Sequence, residues 1–199
     1  MSKIGAILLA AGASRRYGAQ NKLLSEFGGR PMVRVVAESV IGSASLEEIV
    51  VVTGFDRESV EQSLEGLPVR FAYNAEWQDG MGRSIAIGMS KISASLDGAA
   101  IVPGDIPFLT SALLYRLISS FDEFAGKSIV FPVTAAGDQR NPVIWPRHFF
   151  GRLRVLKGRE GGKTLLSDLS EFCFAVPVES EDELLDIDEP GVHSTAPGK

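Results

Sequence analysis

The chain has 199 residues, 45% of them hydrophobic, which suits one compact domain with a substantial core. Its formal net charge of −5 argues against a nucleic-acid partner bound through a basic face. It has no apolar run of the roughly 18 residues a membrane span needs and no charged-then-apolar leader with a cleavage site, so no membrane association is expected and the cytoplasm is the expected compartment.

The first element is the apolar run Ile4–Ala11, which reads as a buried strand. It leads into LLAAGASRRYGAQNKLL, residues 8–24, the most informative stretch of the chain. Ala10, Ala11 and Gly12 carry little or no side chain, so a ligand can lie against their backbone N–H groups. Ser14, Arg15, Arg16 and Lys22 follow closely, adding one hydroxyl and three cations. A small-residue turn with converging N–H groups, backed by Arg and Lys, suits a polyphosphate. Neither GxxxxGK[ST] nor a GxGxxG after the first strand is present, so a P-loop and a dinucleotide fold are unsupported. The plainer alternative is a glycine-containing turn with solvated cations.

Pro31 opens a helix in which Met32, Val35, Val36, Val40 and Ile41 recur at helical spacing. A strand over Ile49–Thr53, a charged helix over Arg57–Leu64 and a strand over Val69–Tyr73 come next. NAEWQDGMGRSIAIGM, residues 74–89, then places Gly80 and Gly82 where the backbone can approach a base or ribose. A helix is expected over Ser84–Ile92, with Ser84 either capping it or donating to a phosphate. Arg83 either adds a cation or is solvated.

A strand over Ala99–Val102 runs into IVPGDIPFL. Open parallel sheets bind ligands beyond the C-terminal ends of their strands, and Asp105 stands just past such an end. Nucleotide-bound Mg²⁺ takes only one or two protein carboxylates, so one aspartate there suffices as an anchor. The alternative is a turn or helix-entry aspartate. Thr110 is a good N-cap for a helix through Leu113, Leu114, Leu117 and Ile118. After the strand Ile129–Val133, TAAGDQRNPVIW makes a polar turn into a short strand. Residues 147–156 and 163–169 read as helical, and 172–178 as a late strand. In LLDIDEP, Asp186 and Asp188 would share one face of a strand, within an acidic run that would otherwise simply be solvated. Cys173 reads as an inert core thiol, and His148 and His193 lack metal-ligand spacing. The tail from about residue 191 is polar and expected to fray. The βαβα alternation predicts an α/β domain: three layers, a mostly parallel sheet with helices on both faces.

LAAGxSxRxG followed by NKLL resembles the MobA-like nucleotidyltransferases, and more broadly the sugar-nucleotide and methylerythritol cytidylyltransferases. GDIP at Asp105, the Trp77…Gly80-Met81…Ser84 segment, Arg140-Asn141-Pro142, the Arg159–Lys163 loop and LLDIDEP are similar to further family segments in the expected order. Arg159 and Lys163 stand where the family usually has Asp and Arg. LAAG resembles the molybdenum cofactor cytidylyltransferase branch more than the guanylyl branch, which usually has LAGG.

The resemblance implies a nucleotide-diphospho-sugar transferase-like, Rossmann-like fold over residues 1–199 and transfer of CMP from CTP to a phosphorylated acceptor such as molybdopterin. It implies catalytic roles for Arg16, Lys22 and Asp105, and a nucleotide site of Leu9, Ala10, Ala11, Gly12, Ser14, Arg15, Arg16, Lys22, Gly80, Met81, Ser84 and Asp105. Mg²⁺ would be held by Asp105 and Asp188, with Asp186 the alternative. Arg16 and Lys22 are expected to line one cavity beside Gly12, exposed and not paired with structural carboxylates. A molybdoenzyme or its chaperone is the implied protein partner. The alternatives are guanylyl transfer, sugar-phosphate or methylerythritol-phosphate nucleotidyl transfer, and a non-catalytic nucleotide-binding cofactor chaperone.

Overall fold

The structure is a computed structural model, and it describes residues 1–13, 17, 20–43, 45–158 and 161–187. Its central sheet is built from β1 (Ile4–Ala10), β4 (Leu46–Thr53), β5 (Arg70–Tyr73), β6 (Gly98–Pro103), β7 (Ile129–Val133), β8 (Val143–Pro146) and β9 (Cys173–Pro177). A small hairpin, β2 (Glu26–Phe27) and β3 (Arg30–Pro31), lies outside it. The helices are α1 (Met32–Gly42), α2 (Arg57–Ser63), α3 (Met81–Lys91), α4 (Ser111–Glu123), α5 (Phe150–Arg154) and α6 (Gly162–Asp168).

The sheet order is β5-β4-β1-β6-β8-β7-β9. Every pairing is parallel except those of β8, which runs antiparallel to both β6 and β7. A parallel strand covered by helices on both faces must be apolar throughout, and β1 is: Ile4, Ala6 and Leu8 face one core, Ile7 the other. The first core is closed by Val33, Val36 and Val40 of α1 and Leu113, Leu117 and Phe121 of α4. Ile85 and Met89 of α3, Phe150 and Leu153 of α5 and Leu166 of α6 close the second. The sheet is therefore the middle of three layers.

Strand order also places the ligand crevice. From β1 the chain steps outward to β4 and β5, then returns to β6 on the other side of β1. The connections above β1 and β6 thus diverge, and such a switch point opens a cleft at the carboxyl ends of the two strands. Leu9 pairs with Pro103 in register, so the turns that begin at Ala11 and Gly104 leave the sheet side by side.

Three local expectations are corrected. The α3 helix starts at Met81, three residues before Ser84, because Gly80 takes the N-cap position. Residues 185–187 form no strand; they follow a 3₁₀ turn at Glu181–Leu184. Asp186 therefore lies on no strand, and Asp188 lies outside the described residues. Residues 147–156 divide into a 3₁₀ turn at Arg147–Phe149 and the five-residue α5. Thr110 caps α4 as expected, its Oγ1 accepting from Leu113 N at 3.0 Å.

Candidate active site

At the end of β1 the side chain of Ala10 turns into the core. Leu9 and Ala11 line the cleft wall, and Gly12 is exposed with open space around its Cα. Ala11 is buttressed from β4: its carbonyl accepts from Phe55 N at 3.0 Å. Gly54 permits that approach, since a Cβ there would sit 2.7 Å from Ala11 O and 2.6 Å from Trp77 Cβ. Ser14, Arg15 and Arg16 lie outside the described residues.

Lys22 stands on a 3₁₀ turn, Lys22–Leu24, capped by Asn21, whose Oδ1 accepts from Leu23 N at 3.1 Å. The expectation of an exposed, unpaired ammonium is wrong. Lys22 is 4% exposed, and its Nζ lies 2.7 Å from Asp105 Oδ2. Nor does Lys22 line the cavity beside Gly12; it meets the site through Asp105, the strand-end carboxylate. Gly104 N donates to Leu9 O at 2.9 Å, and Asp105 O accepts from Ile187 N at 3.2 Å. Those two backbone bonds tie the Asp105 turn to β1 on one side and to the returning C-terminal segment on the other. Ile187 is buried against Phe27 and Met32, which explains why that segment comes back.

The facing wall comes from the loop between β5 and α3. Gly80 has φ +115°, a conformation side-chain-bearing residues rarely adopt, and it turns the Trp77–Asp79 3₁₀ turn into α3. Ser84 is not the helix cap. It is buried in the helix, and its Oγ accepts from Asn74 Nδ2 at 3.0 Å. The Trp77 ring packs on Phe55 at a centroid distance of 5.3 Å. Arg83 pairs with Glu76 at 2.6 Å.

These walls enclose two adjoining cavities. The smaller, about 250 Å³, is lined by Leu9, Ala11, Gly12, Trp77, Gly80 and Ser84. The larger, about 570 Å³, has an apolar floor that includes Ile85, Ile101, Val143 and Trp145, with Arg140, Asn141, Lys163 and Asp186 among its polar liners. Leu9, Met81, Pro103 and Asp105 line both. Asp105 therefore stands between two ligand-sized spaces. A shallow concavity of about 840 Å³ opens at the opposite end of the strands, but Arg147 there pairs with Asp97, and Ser2 N donates to Asp122.

Among the described residues no cluster of three or more His, Cys, Asp or Glu could hold a metal ion. Among the described residues the carboxylate shared by both cavities is Asp105, a hard oxygen donor with 29% of its side chain accessible. That matches a Mg²⁺ ion whose other ligands are phosphate oxygens and water. Elsewhere, His148 stacks on Phe149, and partial burial pushes its pKa down. Cys173 is half-buried, with its thiol pushed up by burial. Neither lines the two cavities. The sequence reading missed Gly54, Phe55 and Asn74; a glycine directly after the apolar run Ile49–Thr53 was the available signal.

A MobA-like NTP transferase domain model matches residues 6–172. The chain belongs to this family. Bifunctional protein GlmU of Cutibacterium acnes is 36% identical over 156 residues, covering 77% of this chain and 34% of that protein. The chain spans between about a quarter and a third of the length of its first curated relatives. A nucleotidyl transferase from Methanothermobacter superposes with a TM-score of 0.78 at 20% identity, covering 94% of this chain and 92% of that one. Rv0371c of Mycobacterium tuberculosis superposes at 0.77 with 21% identity and 94% coverage of both chains, and has also been solved in complex with manganese. These superpositions establish the three-layer nucleotidyltransferase fold. No helix among the described residues is long and apolar enough to cross a membrane.

Proposed function

We propose that this chain is a Mg²⁺-dependent nucleotidyltransferase that transfers CMP from CTP to a phosphorylated acceptor such as molybdopterin, as one cytoplasmic domain serving a molybdoenzyme or its chaperone. The observation that carries the reading is Asp105, which lines both adjoining cavities and is held by Lys22 at 2.7 Å. The smaller cavity takes the nucleotide, with the backbone at Ala10–Gly12 against base and phosphates and Gly80, Met81 and Ser84 opposite. The larger takes the acceptor, whose phosphate has Arg140 and Lys163 as cationic neighbours.

In the reaction an acceptor phosphate oxygen bonds to the α-phosphorus while the bond to the bridging oxygen of the leaving pyrophosphate breaks. No protein nucleophile is required; positioning and charge neutralisation supply most of the rate. Lys22 places an ammonium against charge that builds on the α-phosphate and pyrophosphate. Ser14, Arg15 and Arg16, assigned from the loop pattern, add a hydroxyl and two cations. Asp105, with Asp188 assigned from the sequence pattern or Asp186 as the alternative, is the candidate metal ligand set. A divalent ion held there would supply positive charge to the phosphates.

The choice of CTP rests on Ala11, whose methyl narrows the cavity where guanylyl relatives carry glycine. One methyl commands about 1–3 kcal/mol, or roughly 10- to 200-fold in kcat/KM. The test is pyrophosphate release from CTP, GTP, ATP and UTP with Mg²⁺ and molybdopterin, repeated in Ala11→Gly. CTP should lead, and the lead over GTP should shrink in the variant. Preference for GTP would move the chain to guanylyl transfer, and no release from any triphosphate would overturn the reading.

A further inference from the structure

The hydroxyl of Ser84 is turned by an amide that faces no ligand. Asn74 directly follows β5 and is wholly buried, its backbone N donating to Thr53 O at 2.8 Å. Its Oδ1 accepts from Glu76 N at 3.0 Å. A backbone N–H can only donate, so the amide cannot be flipped without setting two donors against each other. Nδ2 must therefore face Ser84 Oγ, 3.0 Å away, and the serine oxygen must accept. The hydroxyl hydrogen of Ser84 is left for another acceptor.

Other helical serines return that hydrogen to a carbonyl three residues back, as Ser63 does to Val60 and Ser90 to Ile87. Among the described residues Ser84 makes no such bond. It is 5% exposed and lines the 250 Å³ cavity. A buried donor without an acceptor is costly, so a ligand offering one at this wall gains the bond.

We infer that Asn74 is a positioning residue that holds Ser84 as a hydrogen-bond donor toward an acceptor atom of the nucleotide base, a carbonyl oxygen or an unprotonated ring nitrogen. The inference rests on the smaller cavity being the nucleotide site. An N–H of the base at the same place would meet a hydrogen already aimed at it. Asn74 thus selects the polarity of the contact without touching the ligand.

Asn74→Asp reverses the arrangement, because a carboxylate accepts from both Glu76 N and the Ser84 hydroxyl and turns serine lone pairs into the cavity. Binding of CTP to the full chain, measured calorimetrically without acceptor, should weaken about tenfold in Asn74→Asp and in Ser84→Ala. KM for CTP should rise in the same proportion in both variants. The double variant should bind no more weakly than Ser84→Ala alone, since the amide acts only through the hydroxyl. Additive losses in the double variant would mean a merely structural role and overturn the inference. If Asn74→Asp does not fold, Ser84→Ala and Ser84→Thr decide. Threonine should restore most of the affinity that alanine loses, and wild-type affinity in Ser84→Ala overturns the inference. Wild-type protein that binds no nucleotide removes the functional reading along with this one; nucleotide binding with an additive cycle removes this one alone.

Discussion

Replacing Asp105 should separate stability from catalysis, because its partner is the more deeply buried member of the pair. Lys22 retains 5% of its side-chain surface against 29% for Asp105. Asp105→Ala therefore removes a carboxylate from an ammonium that water barely reaches. Breaking a fully buried pair costs about 3–5 kcal/mol, whereas an exposed pair contributes about 0–1 kcal/mol. One buried and one partly exposed partner, with Lys22 retaining a further interaction, place the loss at about 2 kcal/mol. With a urea slope of about 2 kcal/mol per molar, the unfolding midpoint should fall by about 1 M. Asp105→Asn keeps an oxygen for the ammonium and should lose about half as much. Lys22→Met leaves a carboxylate that solvent can reach, so it too should cost less than Asp105→Ala. All three should slow transfer at least ~10²-fold, since Lys22 supplies the cation for the phosphates and Asp105 the carboxylate that would hold the metal. Urea titrations followed by far-UV circular dichroism, alongside pyrophosphate release, measure both effects. An unchanged midpoint in Asp105→Ala would refute the dependence of Lys22 on its partner, and near-normal turnover in folded Asp105→Asn would remove Asp105 from the chemistry.

Gly54→Ala should weaken CTP binding about tenfold, because its Cβ would meet Ala11 O at 2.7 Å and must push the cleft wall aside; titration calorimetry reads the loss. Thr110→Ala should cost about 1 kcal/mol of stability by removing the α4 cap, with transfer at saturating substrate unchanged. His148 has a pKa below its ordinary 6.5 because burial disfavours its charged form. As pH falls through that value the unfolded chain takes up the proton first, so the stability His148 contributes is present above about pH 6.5 and lost below it. His148→Gln should therefore flatten the decline of the urea midpoint between pH 7 and pH 5, by a small amount because the ring is largely exposed. An identical decline in both proteins would exclude His148 as its source.

Most of the fold is legible in the chain because its signals are local. Aliphatic runs such as Ile4–Ala10 mark strands buried on both faces, and the helical spacing of Met32, Val36 and Val40 marks a helix with one buried face. The small residues at Ala10–Gly12 and the strand-end Asp105 point to the cleft for the same reason: each lies where an apolar run stops. Other features depend on what folding brings together. Lys22 and Asp105 are 83 positions apart, and only the adjacency of β1 and β6 makes the lysine buried and paired. The two-residue strands of the β2–β3 hairpin are too short to show a period. Strand β8 sits antiparallel between β6 and β7, which no alternation of residues records. Ser84 looks like a helix cap beside glycines; it becomes a wall of the cavity because Gly80, at φ +115°, starts the helix earlier and Asn74 reaches it from the end of β5. Sequence by itself determined most of the strands and helices and which turns carry little side chain, because periodicity and side-chain size act on neighbouring residues. Tertiary structure alone decided which charges and hydrogen bonds are paired, since a partner is chosen by the order of strands in space.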